Sequence, residues 1–269
     1  MKYETIEYSK EGSIGIIRLN RPERMNAVIE EMYREIQDVL AIAKNDIAIR
    51  VLIITGSVFK KGDVEKQAFC AGADLKKHSS GDRSDSQKKE YILLAHETTR
   101  MIYEFSKPVI AALNGPARGA GSELAMNCDF IFMAEKATIA FPETGLGTFV
   151  GGGVTGHLPR IVGLMKAKEL IYSGTILDGK AAVGLGLALR CFPLKNLMPE
   201  TITFAKLLSD RAPVSMTYAK KRLQQSFNLD IKTVLRFEAE AILSCMETQD
   251  WLEGIHSFDE KRTPVYKGC

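Results

Sequence analysis

Two segments about 45 residues apart share a pattern able to do chemistry. The first is Ala68-Phe69-Cys70-Ala71-Gly72-Ala73-Asp74-Leu75-Lys76. The second is Ala112-Leu113-Asn114-Gly115-Pro116-Ala117-Arg118-Gly119-Ala120-Gly121-Ser122-Glu123-Leu124. Each follows a buried-strand pattern and runs through small residues into a polar or helical stretch. Small residues leave backbone N–H groups uncovered, and a helix start adds free donors and partial positive charge. Two such N–H groups brought together form an oxyanion hole. The same small residues serve equally well in tight turns, and spacing alone does not choose between the two. Glu123, and Glu143 in Phe141-Pro142-Glu143-Thr144-Gly145-Leu146-Gly147, each sit beside a turn. Singly, each is explained as a first-turn carboxylate favoured by the helix dipole. Facing one pocket, they would divide acid and base roles.

Other chemistries find less support. Ser122 lacks the GxSxG frame of a serine nucleophile. Gly145-Leu146-Gly147 followed by Gly151 does not have the spacing of a dinucleotide loop. His78, His96, His157 and His256 have no metal-ligand spacing, so no metal is expected. Cys70, Cys128, Cys191, Cys245 and Cys269 are odd in number and scattered, which argues against a disulfide framework and fits a reducing compartment.

The elements that must position these residues follow from periodicity. Ile14–Leu19 reads as a strand, residues 27–44 as an amphipathic helix, and Val51–Thr55 as a short buried strand. A polar loop is expected over 57–67, a polar and mobile stretch over 77–88, and a helix over 89–105. Then follow a strand at 109–113, a small-residue turn at 115–121, a short helix at 122–128, and strands at 130–133 and 138–141. Recurrence of the strand, strand, helix unit suggests stacked α/β turns rather than an open doubly wound sheet. From about 198 strand signals stop, and helices are expected at 199–209, 214–226, 230–246 and 248–257. The division is therefore a core over 1–197 and a helical region over 198–269, which has little core of its own and needs a surface to pack on.

The 269 residues suffice for a core without disulfides or metals. A net charge of +3 is too small to demand nucleic acid or a membrane surface. No signal-like or membrane-spanning apolar run occurs, so the expectation is a cytoplasmic protein or the mature form of an organellar one.

Over nearly its whole length the chain resembles the crotonase (enoyl-CoA hydratase/isomerase) family. The resemblance is carried in order by Arg21-Pro22-Glu23-Arg24-Met25-Asn26-Ala27, Phe69–Lys76, Asn114–Asp129, Phe141–Gly147, Leu158-Pro159-Arg160-Ile161-Val162-Gly163 and Phe258–Pro264. It implies an α/β fold: a crotonase-like spiral of ββα turns with a helical C-terminal trimerisation region, often doubled to a hexamer. It implies Ala73 and Ala120 as oxyanion-hole donors and Glu123 and Glu143 as the acid–base pair. It also implies coenzyme-A contacts from Arg24, Ala71, Asp74, Leu75 and Lys76, with Phe258 and Lys261 reaching a neighbouring subunit's ligand.

Because both glutamates are kept, the implied activity is enoyl-CoA hydration, with coenzyme A as part of the substrate and no separate cofactor. The alternatives within the family are an enoyl-CoA isomerase or an enzyme acting on cyclic acyl-CoA. A different class is an RNA-binding or non-catalytic coenzyme-A-binding protein. RNA binding is disfavoured because the helix over 27–44 carries Glu30, Glu31, Glu35 and Asp38 against Arg34 and Lys44. Four features depart from the family pattern. Ala120 replaces a usual glycine, which is tolerable if its φ is negative. Arg118 replaces an apolar residue and would pair with a pocket carboxylate, recognise a charged acyl group or be a solvated or ion-paired surface residue. The loop over 57–67 is long, and Gly151-Gly152-Gly153 is unusual.

Overall fold

The computed structural model describes residues 2–62, 64–79 and 83–269. In chain order the elements are β1 (Ile6–Glu11), β2 (Ile14–Leu19), α1 (Glu30–Asn45), β3 (Val51–Gly56), β4 (Val58–Lys61), β5 (Val64–Gln67), α2 (Leu75–Ser79), α3 (Asp85–Tyr103), β6 (Val109–Leu113), β7 (Ala117–Arg118) and α4 (Ala120–Met126). They continue as β8 (Phe130–Ala134), β9 (Thr138–Ala140), α5 (Val154–Val162), α6 (Leu164–Ser173), β10 (Leu177–Asp178), α7 (Gly179–Gly184), β11 (Arg190–Phe192), α8 (Leu194–Ser209), α9 (Pro213–Ser226), α10 (Ile231–Met246) and α11 (Gln249–Asp259).

The main sheet runs β1-β2-β3-β6-β8-β11. Only the first pair is antiparallel, with Ile6 opposite Leu19; the other pairs are parallel. Every residue of β3 and β6 is buried, because α8 crosses one face of the sheet while other elements cover the opposite one. Burial on both faces is why these strands read as unbroken apolar runs. A second, smaller sheet orders β10-β9-β7. Single bridges from Val28 to Ala73 and from Cys70 to Ala117 continue its layer. Each turn of chain thus adds one rung to the main sheet and one to the smaller layer, which is the expected spiral.

Several local expectations change. Residues 58–61 and 64–67 pair as the antiparallel strands β4 and β5 rather than forming a loop, with Val58 opposite Gln67. Their polar side chains conceal a strand pair because the hairpin has no buried face of its own to enforce apolar alternation. α1 begins at Glu30, since Ala27–Ile29 are extended and Val28 is bridged to Ala73. Part of the stretch expected to be mobile is helical, as α2 and the start of α3. Residues 80–82 of it lie outside the described residues. A capping box explains the earlier start of α3: Ser84 Oγ accepts from Gln87 N–H and Gln87 Oε1 accepts from Ser84 N–H.

The position 197–198 runs through α8, whose Leu197, Thr201 and Ala205 are buried. Beyond α8, α9 has no buried residue and α10 has only Ala241. α9 docks on the core mainly through polar side chains spaced along one face. Thr217 Oγ1 donates to Ser106 O at 2.9 Å, Lys220 Nζ to Asp129 Oδ2 at 2.8 Å, and Gln224 Nε2 to Tyr103 O at 2.8 Å.

Candidate active site

β3 and β6 run parallel, so the segments leaving their C-terminal ends emerge side by side. The first small-residue segment returns to this place after the β4–β5 hairpin, where a Cβ on Gly56 would stand 1.9 Å from Ala68 O, and the second leaves β6 directly. Asn26, fully buried, fixes the first of them. Its Nδ2 donates to Ala68 O at 2.8 Å and its Oδ1 accepts from Ser57 Oγ at 2.9 Å. Ala71 N–H donates to Met25 O, Val28 N–H to Gly72 O, and Asp74 N–H to Val28 O. The bridge therefore uses the Gly72 carbonyl and the Asp74 N–H on either side of Ala73 and leaves the Ala73 N–H without a protein acceptor among the described residues.

Ala120 is the first residue of α4, so its N–H is one of the four that no helical carbonyl can reach. Gly119 takes the positive φ of 50°, and Ala120 is not among the non-glycine residues with positive φ. That is the condition under which a methyl group is tolerated there. Close approach of the two segments depends on missing side chains. A Cβ on Gly72, whose φ is +98°, would stand 2.8 Å from Arg118 O and 3.9 Å from Ala120 N. A Cβ on Gly121 would stand 2.3 Å from Cys70 O. The free N–H groups of Ala73 and Ala120 are thus neighbours.

Both glutamates converge on this place. Glu123 lies in the first turn of α4 and is 8 % exposed; Glu143 opens a 3-10 turn after β9 and is 6 % exposed. Burial raises the Glu123 carboxyl above the usual carboxylate range, opposed by the 2.7 Å hydrogen bond its Oε1 accepts from Gly151 N–H. Burial raises Glu143 as well, and the charge of Glu123 adds to it. Neither Glu143 oxygen has a hydrogen-bond partner among the described residues. A Cβ on Gly119 would be 3.2 Å from Glu143 Oε1, so Glu143 reaches the turn that starts α4. A buried carboxylate with no partner is costly, and burial shifts Glu143 towards its protonated form.

The triple glycine at 151–153 has a role that its sequence did not reveal. Cβ atoms on Gly151 and Gly152 would come within 3.3 Å of the Glu123 carboxylate or stem. Asn127 Nδ2 ties the two elements, donating to Glu123 O at 2.8 Å and Gly152 O at 2.6 Å. Neither Gly151 nor Asn127 carries a chemical signature, so only the unusual glycine run hinted at them.

Arg118 is held by neutral oxygens. Its guanidinium donates to Ala117 O, Thr138 O and Thr138 Oγ1 at 2.7–3.0 Å and meets no carboxylate among the described residues. It ties β7 to β9, and so ties the strand leading to Ala120 to the strand leading to Glu143.

The remaining expected positions separate into two places. Ala71, Leu75 and Lys76 are exposed along the rim of the first segment, and Arg24 is exposed on the turn beside it. Asp74 is held in an ion pair with Arg21 at 3.1 Å, which keeps its carboxyl below the usual range despite burial. Phe258, 87 % exposed, and Lys261 are at the end of α11, which packs on α10 rather than on the segments carrying Ala73 and Ala120. Among the described residues no group of three or more His, Cys, Asp or Glu is placed to hold a metal ion.

A family model described as enoyl-CoA hydratase/isomerase matches residues 9–269. A crotonyl-CoA hydratase of Syntrophomonas wolfei is 36 % identical over 262 residues, covering 97 % of both chains. A short-chain-enoyl-CoA hydratase of Clostridium acetobutylicum is 31 % identical over the same length, again covering 97 % of both. The crystal structure of an enoyl-CoA hydratase from Bacillus anthracis superposes with a TM-score of 0.92 at 34 % identity. It covers 99 % of this chain and 100 % of that one.

Proposed function

The chain belongs to the enoyl-CoA hydratase/isomerase (crotonase) family, and from that premise we propose that it hydrates the 2,3 double bond of an enoyl-CoA thioester. The observation that carries this reading is the convergence of two buried carboxyls, both raised above their ordinary range, on a pair of free backbone N–H groups.

In the proposed reaction the thioester carbonyl oxygen accepts hydrogen bonds from Ala73 and Ala120. This draws electrons from the double bond and makes C3 electrophilic. Glu123, kept the more easily ionised by the Gly151 N–H, takes a proton from water as the water oxygen bonds to C3. Charge collects on the carbonyl oxygen as an enolate, where each donor contributes about 3–4 kcal/mol. Glu143, shifted towards its protonated form, then delivers a proton to C2, giving the 3-hydroxyacyl thioester. Glu123 ends protonated and Glu143 ionised, so one proton must return before the next turnover. These steps need no resident cofactor. Arg24, Ala71, Asp74, Leu75 and Lys76 would line the path of the coenzyme-A moiety.

The C-terminal helices would complete the assembly. Leu235, Ile242, Leu243, Met246 and Leu252 are all more than 45 % exposed, an apolar surface that a homotrimer, or a hexamer of two trimers, would cover. In it Phe258 and Lys261 would reach a neighbour's coenzyme A. Light scattering should give three or six times the 29.8 kDa chain mass; a monomer at micromolar concentration would refute this assembly. Five free thiols fit a reducing compartment, and among the described residues no helix is long and apolar enough to cross a membrane.

The test is loss of the conjugated-thioester absorbance of crotonyl-CoA. Glu123→Gln and Glu143→Gln should each lower kcat by about 10²–10⁴ while coenzyme-A affinity by calorimetry is unchanged. Wild-type turnover in either variant would sink the two-carboxylate mechanism. Conversion of a 3-enoyl-CoA without uptake of solvent oxygen, with crotonyl-CoA untouched, would instead identify an isomerase.

A further inference from the structure

A second concavity lies at the other end of the parallel strands. It is bounded by the C-terminal end of α1, the residues leading into β3 and β6, the α8–α9 junction and the C-terminal segment. Its volume is about 170 Å³. Its lining includes Lys44, Arg50, Lys107, Arg211 and Lys267, and no carboxylate. The whole chain carries an excess of only three positive charges, fewer than the five cationic side chains lining this one cavity. None of the five forms an ion pair among the described residues.

Two acids near the lining have partners, and the charge of one, Asp46, also acts on Lys107. Asp46 pairs with Lys10 at 2.5 Å, and Asp250 accepts the N–H groups of Lys267 and Gly268. Two of the five cations are also anchored. Lys107 Nζ donates to Ala43 O at 2.6 Å and to Asp46 O at 2.8 Å; Arg50 Nη2 donates to Tyr266 O at 3.3 Å. Each keeps further N–H donors, and the exposed Lys44, Arg211 and Lys267 surround them.

We propose that this cavity is a binding site for a phosphate-bearing anion of about diphosphate size, separate from the catalytic centre. Like charges held around a concave wall create a potential that a multivalent anion relieves. The volume equals that of about five or six waters, which fits a diphosphate and is tight for a whole nucleotide. Catalytic loops leave the C-terminal ends of β3 and β6, whereas Arg50 and Pro108 precede their first residues. At about 3.3 Å per residue the two sites are some 16–20 Å apart. Three of the cations belong to the core and two to the residues after β11, so a bound anion would clamp the helical region onto the sheet.

Calorimetry with inorganic pyrophosphate tests this on the full chain, at low salt and saturated with coenzyme A. The expected result is one pyrophosphate per chain, with affinity falling steeply as salt rises. Combined Lys44→Gln and Arg211→Gln should weaken it at least tenfold without changing hydration turnover or coenzyme-A affinity. ADP in a parallel titration separates the sources: equal affinity would mean the phosphate end of a nucleotide, weaker binding a free diphosphate. Absence of heat, one-for-one competition with coenzyme A, or undiminished affinity in the double variant would each overturn the proposal. So would a single-stranded RNA that displaces pyrophosphate at lower concentration, since the ligand would then be nucleic acid.

Discussion

The sheet and the C-terminal helices are built on opposite economies. β3 buries all six of its residues and β6 all five, while α9 buries none and α10 one. Yet the helices are no less apolar in places: Phe227, Ile231, Ile242, Leu243 and Leu252 are each more than half exposed. The core satisfies its apolar pattern within one chain. The helical region holds on by hydrogen bonds to carbonyl ends and keeps its apolar face uncovered. Where an apolar stripe is made but not buried, its partner lies outside the chain.

The sharpest way to break this contrast is at the polar joint. Lys220 and Asp129 are paired at 2.8 Å with side chains only 9 % and 18 % exposed. Replacing Lys220→Met leaves Asp129 buried with only the Val109 N–H, at a cost of about 3–5 kcal/mol in chemical denaturation. Burial raises the Asp129 carboxyl even beside Lys220. A raised folded-state pKa adds stability as pH falls through it, so the variant's deficit should shrink below the ordinary carboxylate range. Trp251, the chain's single tryptophan, lies in α11 and should report earlier loss of the helical region than circular dichroism reports for the sheet.

Paired truncations come next. Ile53→Ala, at a fully buried site, should cost about 2–5 kcal/mol. Ile242→Ala, at a site 58 % exposed, should leave chain stability within about 0.5 kcal/mol but raise the concentration at which the oligomer dissociates. Equal losses in the two would remove the distinction.

Glycine gives a smaller version. Gly121→Ala forces a methyl group against Cys70 O and should cost about 1–3 kcal/mol, with loss of turnover because Ala120 N–H moves. Gly254→Ala, in α11, meets Tyr266 Oη at 3.3 Å and should be near neutral by thermal denaturation.

The smallest effect concerns stability at the proposed centre itself. Burial raises Glu143, so its ionisation opposes folding at neutral pH. Glu143→Met should abolish turnover yet raise Tm by about 2–4 °C per kcal/mol relieved. That gain should vanish in acid, where the wild-type carboxyl is protonated in both folded and unfolded chains. A gain that persists in acid would show that packing, not charge, was responsible.

Legibility in the sequence followed the same division. β2, β3 and β6 were readable because burial on both faces leaves continuous apolar runs. α9 and α10 were readable because a helix repeats its stripe whether or not that stripe is covered. The β4–β5 hairpin was not, since Lys60, Lys61, Glu65 and Lys66 mark solvent rather than a strand. The contacts of Arg118 were not legible, because residue type announces a charge and not its acceptors, which are the neutral oxygens of Ala117 and Thr138. Gly151 was passed over because it acts through its N–H, which every residue but proline has.

By itself the sequence determined the family, the spiral of ββα turns and which residues can carry charge or leave an N–H open. Motif order and periodicity are local properties and survive without coordinates. Only the tertiary structure decided that the free N–H groups of Ala73 and Ala120 are neighbours, that Glu123 is held by Gly151 while Glu143 has no partner among the described residues, and that five cations share one cavity. Those facts depend on which strand ends lie side by side and on what a missing Cβ allows to touch, and both are set by parallel pairing between segments far apart in the chain.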